Sequence, residues 1–163
     1  MNIPSRELTS EDLELIDFAK RLVDANTDGE DGAHTMGAAV RAADGRIYGG
    51  INVYHFTGGP CAELVALGHA RASGARELSA IVAVGNCDRG VFDPCGRDRQ
   101  VLFDYHPDIR VILPTPEGLR SVRIRDLMPL AGGWTIEGGA QNLGAAAAGA
   151  DAPAAEQPDR RPV

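Results

Sequence analysis

The chain has 163 residues with 44% hydrophobic side chains, enough for one domain with a buried core, and its formal net charge is −7 at pH 7. The acidic balance argues against nucleic acid or an anionic membrane surface as a partner, which leaves a small molecule held in a pocket. No stretch approaches about 18 consecutive apolar residues, and no basic stretch precedes an apolar one at the start. We therefore expect a cytoplasmic protein without a membrane segment.

The hydrophobic pattern predicts eight regular elements. Ser10 is a candidate cap for an amphipathic first helix, and Asp44-Gly45 predicts the turn of a hairpin. Gly74 is typical of a helix C-terminus, and Pro107 stops the third helix. In chain order, we predict a helix at 10–26, strands at 36–43 and 46–53, a helix at 61–73, a strand at 79–85, a loop at 86–94, a helix at 95–106, a strand at 109–113 and a short helix at 124–130.

The order of these elements, ββαβαβ, predicts an α/β domain in which helices cover the faces of a mixed sheet. We expect this domain to span residues 1–137. From residue 138 the chain consists mainly of Ala, Gly, Pro and Asp, with almost no large apolar side chain. Such a composition cannot build a core, so residues 138–163 are predicted to be a disordered tail.

The three cysteines, an odd number, favour a metal site over a disulfide framework. Cys61 and Cys95 both fall at predicted helix N-termini, where the partial positive charge favours the thiolate, the form that binds metal. Asp98 lies three residues after Cys95 and projects from the same helix face. Glu63, two residues after Cys61, can reach a water on the metal without being a ligand.

The runs Cys61-Ala-Glu63 and Pro94-Cys95-Gly-Arg-Asp98 resemble the zinc-deaminase pattern, with an aspartate in place of the last cysteine. The resemblance implies one Zn²⁺ per subunit with Cys61 and Cys95 as ligands, and Asp98 stands where the pattern has its third ligand. Glu63 is then the catalytic proton carrier. It takes a proton from the water that attacks an amidine-like carbon, such as C4 of cytosine, and delivers protons to the ring nitrogen and to the leaving ammonia.

The residues leave three roles open for Asp98. A carboxylate is an acceptable zinc ligand, although a harder and weaker one than a thiolate. Alternatively, the site has lost its metal, and Asp98 accepts hydrogen bonds from Arg97 or Arg99. In the third case, Cys87 or a water-bridged ligand completes the site.

Further segments extend the resemblance to the cytidine deaminase superfamily, and within it to the blasticidin S deaminases. It covers residues 34–134, and the matching segments are 44–47, 52–65, 81–86, 94–97 and 99–102. The resemblance implies a three-layer α/β/α fold with a mixed five-stranded sheet, assembled as a homotetramer with active sites near the subunit interfaces. It also implies a small nucleoside-like substrate, in a pocket lined by Thr35, Asn52, Arg89 and Trp134.

Tyr54 is a further substrate-binding candidate, because its ring can stack on a planar base; packing within a strand is the alternative. Ordinary cytidine deaminases have Asn-Val-Glu-Asn where this chain has Asn52-Val-Tyr54-His55, so a carboxylate partner for sugar hydroxyls is missing. A cytosine that bears a different or modified sugar therefore suits the chain better than plain cytidine.

The expected function is zinc-dependent hydrolytic deamination of a cytosine nucleoside or of a cytosine-nucleoside antibiotic of the blasticidin S type. The alternative is a non-catalytic member of the fold, or one with an altered substrate such as another planar amidine or guanidine compound, whose zinc site is weakened by Asp98.

Overall fold

The computed structural model describes residues 3–135 and 139–141. Residues 142–163, which make up most of the predicted tail, lie outside the described residues. The elements are β1 (Ser5–Arg6), α1 (Ser10–Asn26), β2 (Met36–Ala42), β3 (Ile47–Ile51), α2 (Ala62–Ala72), β4 (Leu78–Gly85), β5 (Gly90–Phe92), α3 (Gly96–Tyr105), β6 (Arg110–Thr115), β7 (Gly118–Arg123), a 3₁₀-helix (Ile124–Leu127), β8 (Gly133–Thr135) and β9 (Gly139–Gln141).

A mixed sheet forms the middle layer of the fold, with the strand order β1-β7-β6-β4-β2-β3. The pair β4–β6 is parallel, whereas the other pairs are antiparallel. β2 runs along the whole of β4 on one side. On the other side, β6 pairs with residues 80–82 and β5 with residues 83–85. β4 is thus the central strand, which explains its continuous apolar sequence.

Helices cover both faces of this sheet. On one face, Leu15 and Ala19 of α1 pack in a buried cluster with Val82 of β4 and Ile112 of β6. On the other face, α2 packs on β3 through Ala62, Ala66 and Ala70, all fully buried. The N-terminus of α3 lies beside that of α2. The predicted three-layer α/β/α class is confirmed.

The strand count differs from the expected five, because the sheet has seven strands. β1 and β7 extend one edge, and β5 lies inside the segment predicted to be a loop at 86–94. These strands are short or polar, so the hydrophobic pattern does not mark them: β7 reads Gly-Leu-Arg-Ser-Val-Arg and β5 has three residues. The predicted helix at 124–130 is a 3₁₀-helix that ends at Leu127.

The chain divides into two units, Met1–Pro129 and Leu130–Val163. The first contains the whole seven-stranded sheet with its helices. In the second, β8 and β9 pair as a separate antiparallel ribbon, in which Trp134 lies opposite Ala140. None of the helices among the described residues is long and apolar enough to cross a membrane.

The N-terminus of α1 is held by Thr9, whereas Ser10 was predicted to be the cap. The Thr9 hydroxyl accepts the Asp12 N–H at 3.3 Å, and the Asp12 carboxylate accepts the Thr9 N–H at 2.8 Å. This reciprocal arrangement needs an acidic or amide side chain three residues after the cap, and Ser10 has Leu13 there. Arg6 of β1 also donates to the buried Asp12 carboxylate at 2.5 Å, which ties the edge strand to the helix.

Asp12 should make stability depend on pH. Burial disfavours its charged form, but the Arg6 guanidinium and the Thr9 donors outweigh that effect and hold the pKa of the carboxyl below its usual 3.8. A lowered folded-state pKa gives stabilisation that is complete above the unfolded value and is lost as the pH falls through the folded one. We expect Asp12→Asn to lower the free energy of unfolding by about 1–2 kcal/mol at pH 7, and by less near pH 3.

Urea unfolding at the two pH values measures this difference. Asp17→Asn is the matched control, because Asp17 is an exposed acid on the same helix that forms a surface ion pair with Arg21. Its effect should stay within about 0.5 kcal/mol. An equal loss for Asp12→Asn at both pH values would contradict the charge-based account.

Candidate functional site

Two helix N-termini meet at one end of the sheet, and each presents a thiol. Cys61 precedes α2 and Cys95 precedes α3, both with extended backbone at the N-cap position. Their Sγ atoms are 3.7 Å apart. Two thiolates bound to one tetrahedral zinc at about 2.3 Å would lie about 3.8 Å apart, so the spacing suits a shared metal ion. The placement of both cysteines at helix starts, expected from the sequence, is observed.

Asp98 joins the two thiols from the first turn of α3. One carboxylate oxygen of Asp98 and the two Sγ atoms all lie within 4.8 Å of one another. The side chain is buried, and its Oδ2 accepts the Cys95 N–H at 3.3 Å. Its Oδ1 is buried and has no hydrogen-bond partner within the described part of the chain. A buried carboxylate oxygen without a donor is costly, and a cation between the carboxylate and the thiols removes that cost.

The donor set of two thiols and one carboxylate therefore fits a divalent metal ion with one position left open. The geometry does not support hydrogen bonds from Arg97 or Arg99 to Asp98, nor Cys87 as the ligand that completes the site. Arg97 donates to the Gly59 carbonyl at 2.8 Å and lies 3.7 Å from Cys61 Sγ. Arg99 donates to the Pro94 carbonyl and pairs with Asp93. The exposed Cys87, in the turn between β4 and β5, is not part of the Cys61–Cys95–Asp98 cluster.

Glu63 lies in the first turn of α2, close to this cluster, and is 7% exposed. Burial, the nearby Asp98 carboxylate and, to a lesser degree, Asp93 raise the pKa of Glu63 to about 7. A carboxyl group in this range can both take and release a proton near neutral pH. For Cys61, burial together with the Asp98 carboxylate and the Cys95 thiol outweighs the Arg97 contact and raises the pKa of the thiol to about 12. The expectation that the helix start favours the thiolate is therefore wrong for Cys61 in the absence of a cation.

The cluster lies in the wall of a cavity of about 470 Å³, a size typical of small-molecule sites. Its lining combines the starts of α2 and α3 with the segment that follows β3. The lining residues are Met36, Asn52, Val53, Tyr54, His55, Gly58, Gly59, Pro60, Cys61, Ala62, Glu63, Phe92, Asp93, Cys95 and Asp98. The ionisable acids among them are three carboxyls, two thiols and the Tyr54 phenol, and no lysine or arginine of the described ranges 3–135 and 139–141 is among them.

Of the residues predicted to bind substrate, Asn52 and Tyr54 line the cavity. The Asn52 side chain also fixes the neighbouring backbone: its Oδ1 accepts the Met36 N–H and its Nδ2 donates to the Ala33 carbonyl, each at 2.9 Å. One lone pair and one proton of that amide remain for a ligand. Tyr54 is 73% exposed, so its ring lies at the cavity mouth rather than in strand packing.

Thr35 and Arg89 do not line the cavity. Arg89 folds back onto Asn86 and donates to the Thr35 carbonyl at 2.5 Å, and its guanidinium lies 5.5 Å from the centre of the Phe92 ring. Because Phe92 does line the cavity, Arg89 supports the wall from behind. Trp134 is 42% exposed and belongs to β8 in the second unit.

Sequence reasoning left out three lining residues that carry polar or aromatic chemistry: Phe92, Asp93 and His55. Asp93 directly precedes Pro94-Cys95, and that adjacency is a local signal. Phe92 has no such signal, because its position depends on the unpredicted β5. His55 stands beside the predicted Tyr54, although a lone histidine of this kind is more often structural or solvent-facing.

Comparison with known proteins finds relatives and solved structures, although no protein-family model matches the chain. The chain is 33% identical over 132 residues to a blasticidin-S deaminase from Bacillus cereus, covering 76% of this chain and 93% of the relative. It is 35% identical over 106 residues to a cytidine deaminase from Halalkalibacterium halodurans, covering 63% and 78%. The crystal structure of cytidine deaminase from Burkholderia pseudomallei superposes with a TM-score of 0.61 and 31% identity, over 76% of this chain and 99% of that one.

Gly50 of β3 sets the position of α2, and with it Cys61 and Glu63. A Cβ at Gly50 would lie 2.4 Å from the Ala66 nitrogen and 2.6 Å from the Ala62 carbonyl oxygen, both backbone atoms of α2. We expect Gly50→Ala to push the helix from the sheet and lower the free energy of unfolding by about 2–4 kcal/mol. Chemical denaturation gives the loss, and binding of a ligand at the cavity should weaken in parallel.

Gly68→Ala is the control for this substitution. Gly68 is exposed in the same helix, and a Cβ there meets nothing within 4 Å. The variant should gain up to about 1 kcal/mol from better helix propensity. A tolerated Gly50→Ala would show that α2 is not held by this close contact.

Proposed function

This chain belongs to the cytidine deaminase superfamily, and we propose that it is a zinc-dependent hydrolase that releases the amino group of a cytosine nucleoside, or of a cytosine-nucleoside antibiotic of the blasticidin S type, as ammonia. One observation carries the proposal: Glu63 and the cluster of Cys61, Cys95 and Asp98 share one wall of a cavity of nucleoside size. The names of the relatives, blasticidin-S deaminase and cytidine deaminase, support the same reaction.

Cys61, Cys95 and Asp98 would hold the zinc. Support for this assignment comes from the 3.7 Å spacing of the two Sγ atoms and from the buried Asp98 oxygen that lacks a donor. When bound, zinc supplies the Lewis acidity that makes a water nucleophilic near neutral pH. Arg97, 3.7 Å from Cys61 Sγ, offsets part of the negative charge of the three ligands.

Glu63 would carry every proton of the reaction. Its carboxylate takes one proton from the attacking water and delivers it to the ring nitrogen N3, as the water oxygen forms a bond to C4. It then moves a proton from the new C4 hydroxyl to the amino group. The C4–N bond breaks, ammonia leaves and C4 becomes a carbonyl, so that cytosine plus water gives uracil plus ammonia. The low exposure of Glu63 keeps bulk water from competing for these protons.

The mouth of the cavity supports a substrate with a modified sugar. Tyr54 and His55 line it where ordinary cytidine deaminases offer a carboxylate to the sugar hydroxyls. The exposed Tyr54 ring can cover an apolar or planar part of the ligand.

We further propose that the enzyme acts in the cytoplasm as a homotetramer. The exposed side chains of Val53, Tyr54 and Phe56, at 47%, 73% and 89%, supply apolar surface for a subunit contact near the site.

Deamination itself is the first test. Zinc-loaded protein should release ammonia from cytidine or blasticidin S and convert the cytosine chromophore to uracil. Glu63→Gln should lower kcat by about 10²–10⁴-fold, because it removes the proton carrier, while the zinc content stays unchanged. If the metal-replete wild type released no ammonia from any cytosine nucleoside, the deaminase proposal would be wrong. Ammonia release from a panel of amidines and guanidines would then separate an altered substrate from a non-catalytic protein.

Metal content tests the role of Asp98. We expect about one zinc per chain in purified wild type, a similar content in Asp98→Cys, and a zinc affinity at least about 10-fold weaker in Asp98→Ala. Asp98→Asn is the matched variant, because its amide oxygen can still accept the Cys95 N–H while the negative charge is lost. Metal-free wild type whose zinc returned only in Asp98→Cys would show that Asp98 is not a ligand.

A further inference from the structure

The His55 ring has a fixed tautomer because of the turn in which it lies. Residues 55–58 form a tight turn closed by the Gly58 N–H on the His55 carbonyl at 3.0 Å, with Gly58 at a φ of 90°. The His55 Nδ1 lies 3.2 Å from the Thr57 nitrogen and 2.5 Å from the Thr57 hydroxyl. A backbone N–H can only donate, so Nδ1 accepts, and the proton of the neutral ring is on Nε2.

The turn also holds this ring in place. The Phe56 ring contacts it with the two ring centres 4.4 Å apart. Behind the turn, a Cβ at Gly59 would lie 1.7 Å from the Val53 carbonyl oxygen, so the two ends of the segment pack directly on each other. The Nε2–H of His55 has no hydrogen-bond partner among residues 3–135 and 139–141. It is therefore a preorganised donor on a residue that lines the cavity.

The other polar groups that line the cavity are mainly hydrogen-bond acceptors, so a donor adds a contact that they do not provide. Glu63, Asp93 and Asp98 offer acceptor oxygens, which suit the amino group and the protonated ring nitrogen of cytosine. The Asn52 amide nitrogen already donates one proton to the Ala33 carbonyl. A sugar or sugar-like substituent brings ether and hydroxyl oxygens, and no lysine or arginine of the described part of the chain lines the cavity to meet them. The side-chain N–H and O–H donors that remain are the second Asn52 amide proton, the Tyr54 hydroxyl and the His55 Nε2–H. His55 supplies an N–H for that half of the ligand.

We propose that His55 is a specificity-determining residue: its Nε2–H donates a hydrogen bond to an acceptor oxygen on the sugar-like part of the substrate. This assignment rests on the proposed deaminase function and adds to it the residue, His55, that recognises the sugar-like part of the substrate.

A cycle of protein and ligand changes isolates this hydrogen bond. The protein is the zinc-loaded Glu63→Gln variant, which binds without turnover, and the probes are cytidine and 1-methylcytosine, which lacks the sugar. Asn at position 55 can still accept the Thr57 N–H but has no donor at the place of Nε2. We expect His55→Asn to weaken cytidine binding about threefold to tenfold, and to leave 1-methylcytosine binding unchanged. NMR titration covers the millimolar range that the smaller probe needs.

Two further variants complete the design. His55→Gln places an amide N–H farther from the backbone, near the position of Nε2, and should recover part of the cytidine affinity. His69→Asn is the control, because His69 is exposed, binds the Gly49 carbonyl through Nδ1 and does not line the cavity. It should change neither affinity.

Equal weakening of both probes by His55→Asn would indicate a structural role and overturn the assignment alone. No weakening of either probe would do the same. If neither probe nor blasticidin S bound the parent variant, the proposed function would fail, and the role of His55 with it.

Discussion

The meeting of the two helix N-termini is the constraint on which the site depends. Each helix start has backbone N–H groups without partners inside the helix, and their positive ends favour negative charge nearby. Here both helix starts face the same small region, in which the two Sγ atoms and one Asp98 carboxylate oxygen lie within 4.8 Å of one another. At Cys61, however, burial and the neighbouring Asp98 carboxylate outweigh this effect and raise the pKa of the thiol to about 12, so the thiolate needs a cation beside it. The close contact of α2 with β3 fixes the position of the first of these two ends.

Asp98 occupies the position at which the zinc-deaminase pattern has its last cysteine. As the third residue of α3 it still caps the helix through the Cys95 N–H, a role that any acid or amide there performs. Its second oxygen, however, points to no donor. The cap alone uses one oxygen, so the cap explains why the residue is acidic but not why the other oxygen is buried. A bound cation would explain both, and a carboxylate ligand would make the site less selective for soft metals than three thiolates would be.

Sequence reasoning found the metal-ligand and proton-carrier candidates because their positions depend on nearby sequence. Cys61, Glu63, Cys95 and Asp98 lie within a few residues of a helix start, and a helix start can be read from proline, spacing and polarity. Arg89 shows the opposite case. The family resemblance predicted a pocket residue at this position, yet the side chain turns back to Asn86 and the Thr35 carbonyl, partners that only the folded turn brings near. The fold followed the same rule: β2, β3, β4 and β6 were predicted from apolar patterns, whereas the short β5 and the polar β7 acquire their strand form only through neighbours.

Gly49 and Gly50 lie side by side in β3 and face opposite helices. A Cβ at Gly49 would lie 2.4 Å from a Leu22 methyl group of α1, and one at Gly50 the same distance from the backbone of α2. The strand therefore meets the backbone of α2 directly on one face, and the Leu22 and Phe18 side chains of α1 on the other. A change in these two side chains shifts the strand, and the strand passes the shift to the helix that bears Glu63. Laboratory evolution of this enzyme should therefore find activity-changing replacements on the far face of the sheet, in residues that never meet a ligand.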